Sequence, residues 1–319
     1  MPNPIISDIA VICPNPGRPH MPKSQIIPCI DTLMADANAH YQRSTPSGSG
    51  GDHVVRLSTN EFYFYTKKPL TAAEFTILDH HIQQQGEKYH KGVQLVLGSF
   101  AVMGPNNKMM NVTPYVKCGK PTEVQYIVKN HTSSVDLRCD DDATGTRLEN
   151  IDSKNPGDLR DPFTLNNVVL CQTRSGEAYL SAVDVCLDHY YGEGKARVLG
   201  IKNSPTLREL PVSHLVTSHT IRLIPENSME PVMHTDRDAA TAKAGSVDRP
   251  YVVNYPGRTG SNVRIVEPTP VQLKVKDVQA ARPRAPTPVV GTHLGTSTTA
   301  HPTPVTATIP IRATSPVVG

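Results

Sequence analysis

The first hundred residues alternate between short apolar runs and longer stretches with helical spacing. Residues 7–13 and the run that ends at Glu61 are rich in Val, Ile and Leu, which favours strands. Residues 25–41 and 70–89 repeat apolar positions with the period of amphipathic helices. Residues 92–102 read as a further, buried strand. This alternation of strands and helices favours a layered α/β fold.

Strands dominate the middle of the chain. Four short β-prone runs lie at residues 109–117, 122–129, 166–172 and 179–185. A Thr-Arg-Ser-Gly turn separates the last two runs, so we expect hairpins in a mixed sheet. Farther along, the pattern predicts a strand at 214–224, a helix at 236–244 and a strand at 249–255.

Composition narrows the classes of partner. The chain has 319 residues, of which 38% are hydrophobic, and this is enough to bury a large core. Its formal net charge is +3. Because no basic block alternates with aromatic residues, we expect no nucleic-acid partner. No apolar run approaches the ~20 residues that span a bilayer, and no secretory pattern opens the chain. We therefore expect a cytoplasmic protein without a membrane partner, while export as an effector stays open.

The cysteines and the end of the chain point to two further expectations. Six cysteines occur without a Cys-x-x-Cys pair, so we expect neither a zinc site nor a disulfide framework. Beyond about residue 267, Pro, Thr, Ala and Val replace most charged residues, and such sequence buries too little surface to offset its ordering entropy. We predict one domain at 1–266 and a disordered or extended tail at 267–319.

Three strand ends deliver side chains with complementary chemistry. The run from residue 179 ends on Cys186, and a thiolate is the strongest nucleophile available near neutral pH. An earlier run ends on Glu61, a candidate general base. Another ends on Lys129, whose ammonium can stabilise negative charge on a substrate oxygen.

This order of strand-end residues resembles the carbon-nitrogen hydrolase superfamily, the nitrilase-like enzymes. Family members carry a hydrophobic strand, then Cys-x-Asp, then a glutamate seven residues after the cysteine, which matches Cys186, Asp188 and Glu193. The pair Lys129 and His131 is similar to the family's Lys-x-His. The resemblance implies an α/β fold, a nitrilase-like αββα four-layer sandwich with mixed β-sheets.

The resemblance also implies an activity. It predicts a hydrolase of a non-peptide carbon-nitrogen bond, with an amide preferred over a nitrile or carbamoyl substrate and with a thioester on the cysteine. The partner is then a small-molecule amide or nitrile, a homodimer is possible, and no metal or organic cofactor is needed. Asp188 and Glu193 are predicted to orient the turn after the nucleophile. Replacing Lys129 is expected to leave folding intact and to remove most of the rate.

Two other hypotheses stay open. The long interval between the lysine and the cysteine contains an acidic stretch at 140–161, predicted to be an inserted surface loop. The glutamates between the lysine and the cysteine, Glu149 and Glu177, do not match the family's second catalytic glutamate. These departures favour a catalytically altered or inactive nitrilase-like protein that works as a binding or effector module. If His131 or His189 activated the thiol instead, the protein would be a Cys/His transferase or peptidase.

Overall fold

The computed structural model describes most of the chain between residues 4 and 275. The described residues are 4–13, 20–44, 52–104, 109–132, 136, 139–140, 147–148, 167–205, 207–237, 240–242, 251–253, 255–256, 258, 263–266 and 270–275. All of them belong to one compact unit, Met1–Ala281. Residues 276–319, which make up most of the predicted tail, lie outside the described residues, as does most of the predicted insertion.

Helices and strands follow one another in this order: β1 (Ile5–Ile12), α1 (Ile26–Ser44), β2 (His53–Thr59), α2 (Ala72–Gly86), β3 (Val93–Val96), β4 (Phe100–Met103), β5 (Met109–Lys117), β6 (Glu123–Val128), β7 (Cys139–Asp140), β8 (Arg147–Leu148), β9 (Val168–Gln172), β10 (Ala178–Val185), α3 (Leu187–Tyr191), α4 (Glu193–Lys202), β11 (Val212–Thr217), β12 (Val232–Thr235), β13 (Ala240–Ala242), β14 (Tyr251–Val253), β15 (Val263–Val266) and β16 (Val271–Gln272). This order confirms the predicted alternation at the start of the chain and the run of strands that follows it.

Two mixed sheets form the centre of the molecule. Within the described residues, nine strands make the first sheet in the order β14-β15-β1-β2-β3-β5-β4, with β16 beside β1 and β6 beside β5. Five strands make the second sheet in the order β13-β12-β11-β10-β9. Each sheet has a parallel centre, β1-β2-β3 in one and β10-β11-β12 in the other, and antiparallel strands flank it.

The two sheets pack face to face. Val54 and Ile127 of the first sheet share one apolar cluster with Val183 and Leu215 of the second. Helices α1 and α2 cover the outer face of the first sheet, and α4 packs through Val198 on the outer face of the second. The result is a four-layer αββα sandwich, which confirms the predicted fold class.

Local sequence explains both helices of the first layer. The buried residues of α1 recur every three or four positions, so one stripe of the helix faces the sheet; they are Ile26, Cys29, Ile30, Leu33, Met34, Ala37 and Tyr41. Helix α2 begins at a capping box, in which the Thr71 hydroxyl accepts from the Glu74 N–H and the Glu74 carboxylate accepts from the Thr71 N–H. Both helices confirm the predictions at 25–41 and 70–89.

The predicted strand at 92–102 is divided into β3 and β4. At Gly98 the chain passes over the end of β2, and a Cβ there would lie 2.1 Å from the Asn60 carbonyl oxygen. The Gly98 N–H donates to the Thr59 hydroxyl. Only glycine permits this approach of two backbones, and the turn that it makes ends the first strand.

Two predictions in the second sheet need correction. The strand expected at 214–224 stops at Thr217, level with its parallel neighbours, because Thr217 is the last residue paired with both β10 and β12. The helix expected at 236–244 is wrong, since Ala240–Ala242 forms strand β13 and pairs antiparallel with β12. This pairing gives hydrogen-bond partners to the N–H and C=O groups along the edge of β12, which a helix at 236–244 would leave unpaired.

The end of the described chain packs against its beginning. Strand β16 pairs with Ile5 and Ile6 of β1, and Leu273 behind it is fully buried. The packed region therefore extends beyond the predicted boundary at residue 266. In the described part of the chain, no helix combines the length and the apolar character needed to cross a membrane.

Candidate active site

Three strand ends meet in one buried cluster of side chains between the sheets. Glu61 follows β2, Lys129 follows β6 and Cys186 follows β10. The Lys129 Nζ lies 2.9 Å from Glu61 Oε1, and the side chains of both residues are fully buried. The Glu61 carboxylate also interacts with the Cys186 thiol. The structure thus brings together the three side chains that the sequence singled out.

Asn111 of β5 aligns the carboxylate and the lysine. Its backbone carbonyl accepts from the Lys129 N–H at 2.9 Å, and its Nδ2 donates to Glu61 Oε1 at 3.0 Å. Among the described residues, neither Asn111 Oδ1 nor Glu61 Oε2 has a hydrogen-bond partner, although both atoms are buried acceptors. Because a buried polar atom without a partner costs about 1–3 kcal/mol, such atoms point to a ligand or a function.

Asp136 is a second carboxylate on the lysine that sequence reasoning missed. Its two oxygens lie 2.8 and 2.9 Å from Lys129 Nζ. The glutamates that the sequence offers in this interval are Glu149 and Glu177. Glu177 lies in the β9–β10 hairpin at the opposite end of β10 from the cysteine, and Glu149 is outside the described residues. An acidic side chain seven positions after Lys129 was the available signal.

Burial and neighbouring charged groups together determine the pKa values of Glu61 and Lys129. Burial raises the pKa of Glu61, while the Lys129 ammonium opposes the rise. Burial by itself would lower the pKa of Lys129, but Glu61, Cys186 and Asp136 together raise it above its usual value. Lys129 is therefore an ammonium held between two carboxyl groups.

Cys186 occupies a strained turn between β10 and α3. Its φ of 50° is uncommon for a residue with a side chain, and such strain costs of order 1–3 kcal/mol. Its N–H donates to the Thr217 carbonyl at 2.8 Å, and the His219 backbone N–H faces its sulfur. Burial, followed by the Glu61 charge, raises the pKa of Cys186 well above the usual thiol value, against the effect of Lys129. The resting group is a thiol that needs a base.

The supporting residues hold the chain that follows Lys129. Asp188 Oδ1 accepts from the backbone N–H groups of Asn130 and His131, each at 2.9 Å. His131 Nε2 lies 2.8 Å from Glu193 Oε1, and its ring stacks on Tyr191 with centroids 4.0 Å apart. Asp188 and Glu193 therefore join α3 and α4 to the lysine strand, and His131 is engaged by Glu193.

The described residues include one group with metal-ligand chemistry, Asp184, His189 and His214. The free nitrogen of each imidazole faces a backbone N–H, because His189 Nε2 accepts from Ile224 and His214 Nδ1 accepts from Met229. A metal-bound histidine needs a proton on its second nitrogen and an acceptor beside it. Here a donor stands in that position, so the group does not fit a metal ion. The same contacts occupy His189 and separate it from the role of a base for Cys186.

Two mixed sheets with helices outside, and Glu, Lys and Cys at converging strand ends, are the features that the family resemblance implies. The chain has a nitrilase-like fold. No family model and no curated protein matches the chain.

Solved structures with this kind of fold match at low identity. An N-terminal amidase with a Gln-Gly peptide has a TM-score of 0.37 and 7% identity over 67% of this chain and 47% of its own. XC1258 from Xanthomonas campestris, a CN-hydrolase superfamily protein with an arsenic adduct in its active site, has a TM-score of 0.37 and 11% identity over 85% and 91%. This chain spans about half the length of the amidase.

Proposed function

We propose that the protein is a hydrolase that cleaves a non-peptide carbon-nitrogen bond, with an amide as the preferred substrate, through a thioester on Cys186. One observation carries the proposal. A buried carboxylate, Glu61, contacts both a nucleophilic thiol and the ammonium of Lys129. A base, a nucleophile and a fixed positive charge held together at a buried position are the groups that acyl transfer requires.

Glu61 acts first as the base. It takes the Cys186 proton, and the thiolate attacks the carbonyl carbon, so that a C–S bond forms and the carbonyl electron pair moves to oxygen. The Lys129 ammonium lies beside the carboxylates of Glu61 and Asp136, and its positive charge stabilises the oxyanion that forms. The backbone N–H after the cysteine is the second donor in this proposal.

The carbon-nitrogen bond breaks next. Glu61 returns its proton to the leaving nitrogen, which departs as ammonia or an amine, and a thioester remains on Cys186. Glu61 then removes a proton from water, and the hydroxyl adds to the thioester carbonyl. The C–S bond breaks, the carboxylic acid leaves, and the sulfur takes the proton back from Glu61, which restores the thiol. No step uses a metal or an organic cofactor.

The two unpartnered acceptors support an amide over a nitrile. Asn111 Oδ1 and Glu61 Oε2 belong to two side chains that are hydrogen-bonded to each other. An amide NH₂ has two hydrogens to donate to them, whereas a nitrile nitrogen has none. An amide substrate would therefore satisfy two buried atoms that a nitrile leaves unpaired.

Ammonia release from small primary amides, ureido compounds and nitriles tests this function. We expect release from at least one amide, and we expect its loss in Cys186→Ala with the far-ultraviolet circular dichroism unchanged. Glu61→Gln should lose the same activity. Retained activity in a folded Cys186→Ala protein would show that another group is the nucleophile.

A binding or effector module is the second candidate, because the centre is almost closed. Cys186 is only 9% exposed, and Glu61 and Lys129 are less exposed still. Iodoacetamide distinguishes the two functions without a known substrate. An enzyme should alkylate at Cys186 far faster than at its other five thiols near neutral pH, whereas a binding module should show no such preference.

A further inference from the structure

Asp184 is the centre of a fully buried hydrogen-bond network beside the nucleophile. It lies on β10, two residues before Cys186. Its Oδ2 accepts from His189 Nδ1 at 3.2 Å and from His214 Nε2 at 3.0 Å. Its Oδ1 accepts from the Gly194 N–H at 2.7 Å. We call Asp184, His189 and His214 the hub.

The backbone determines where each imidazole carries its proton. A backbone N–H can only donate, so His189 Nε2, which lies 3.0 Å from the Ile224 nitrogen, must be unprotonated. The same reasoning applies to His214 Nδ1, 3.2 Å from the Met229 nitrogen. Both rings are therefore neutral, with the proton on the nitrogen that faces Asp184.

The hub joins the segments that surround the nucleophile. Cys186 lies between Asp184 on β10 and His189 on α3, so the network holds the chain on both sides of the strained turn. The segment 224–229 is attached through both imidazoles and through Asn227, whose Nδ2 donates to the His189 carbonyl at 2.8 Å. The Gly194 contact adds the first turn of α4.

We propose that Asp184, His189 and His214 are positioning residues that hold the Cys186 turn in its reactive geometry, and that they do so only while both imidazoles are neutral. The inference rests on the proposed function, because it gives the turn a part in the reaction. It differs from a general structural role in that it requires one defined tautomer at each ring. A proton added to either ring would place N–H against N–H at Ile224 or Met229.

The charged surroundings also favour neutral rings. His234 on β12 interacts electrostatically with both imidazoles, Arg56 on β2 acts on His214, and Asp188 on α3 interacts with Asp184. Burial lowers the pKa of His214, against the attraction of Asp184. Burial alone would raise the pKa of Asp184, but the bonds from the two histidines keep it well below its usual range. Acid strong enough to protonate His214 should therefore disrupt the hub.

The test combines histidine NMR with alkylation of the full chain. In ¹⁵N-labelled protein near pH 7.5, we expect His189 to be protonated only at Nδ1 and His214 only at Nε2. In Asp184→Asn we expect iodoacetamide to modify Cys186 at least about tenfold more slowly than in the wild type. The matched control is Asp36→Asn. Asp36 lies on α1, and its carboxylate accepts from the Tyr255 hydroxyl. Cys186 in this variant should alkylate at the wild-type rate.

Conservative variants keep the test decisive if Asp184→Asn does not fold. His214→Gln retains a donor toward Asp184, and His214→Leu does not, so Gln should preserve more of the Cys186 alkylation rate. The wild-type rate should fall as the NMR signals report protonation of either ring. Any one of three results would overturn the inference. The first is a different protonation pattern of His189 or His214 near pH 7.5, and the second is an equal alkylation rate in His214→Gln and His214→Leu. The third is stoichiometric Zn²⁺ binding that is lost in Asp184→Asn.

Failure of the hub and failure of the proposed function give different results. If wild-type Cys186 shows no preference over the other thiols, the proposed function fails. If wild-type Cys186 reacts preferentially and folded hub variants react as fast, only the positioning inference fails.

Discussion

Lys129→Met should strongly destabilise this protein. The Nζ lies 2.9 Å from Glu61 and 2.8 Å from Asp136, and the three side chains are 0%, 0% and 7% exposed. Methionine fills a similar volume but leaves two buried carboxyl groups without a cation. Removing one partner of a buried ion pair costs about 3–5 kcal/mol, a large part of the ~5–15 kcal/mol that stabilises a typical domain. This revises the expectation that a Lys129 variant folds normally.

Urea unfolding followed by circular dichroism measures this cost, since the chain has no tryptophan. The matched control is Lys23→Met, which breaks the half-exposed pair with Glu74 and should cost less than about 1 kcal/mol. Adding Glu61→Gln to Lys129→Met removes one unpaired charge. We expect that double variant to recover about 1–3 kcal/mol relative to the sum of the single changes.

The result that would refute the reasoning is a Lys129→Met cost no larger than that of Lys23→Met. Strictly additive effects of Lys129→Met and Glu61→Gln would refute it as well, because groups in contact should be coupled. An unchanged m-value is required for either comparison, since a changed slope reports a different unfolded or native state.

Three further outcomes follow from the structure. Burial lowers the pKa of His234 to about 4, so on acidification the unfolded chain binds a proton at this histidine before the folded chain does. The free energy of unfolding should therefore fall by about 3 kcal/mol between pH 6.5 and pH 4. Urea titrations of His234→Gln should not show this loss. Arg56→Met should cost about 3–5 kcal/mol in the same assay, because the fully buried guanidinium joins both sheets; a cost below about 1 kcal/mol would contradict this role. Gly98→Ala should destabilise the protein by about 1–3 kcal/mol and slow alkylation of Cys186, because the added Cβ would collide with the Asn60 carbonyl oxygen. Gly200→Ala is the control, since Gly200 has open space around it, and it should change neither the stability nor the alkylation rate.

The candidate site was predictable where its chemistry followed local patterns. Glu61, Lys129 and Cys186 each come directly after an apolar, β-prone run, and strands that end at one edge bring such residues together. The helix α1 was predictable for a similar reason, because its buried stripe repeats with the period of the helix itself. Patterns of this kind record which face of an element is buried.

Other elements depended on their neighbours in the fold. Ala240–Ala242 is a strand because the edge of β12 offers backbone partners, and the run after Thr217 leaves the sheet where the adjacent strands end. Neither fact is written in the hydrophobic period of those segments. Gly98 likewise ends β3 only because the carbonyl of Asn60 stands in its path.

By itself, then, the chain determined the alternation of strands and helices and the residues at the three strand ends, since periodicity and strand boundaries are local properties, and its family resemblance implied the αββα layers. The tertiary structure alone decided that Asp136 shares Lys129 with Glu61 and that Asp184 binds two histidines beside the Cys186 turn. Those contacts join residues from separate elements, and hydrogen bonding and charge depend on distances that only the packed sheets establish.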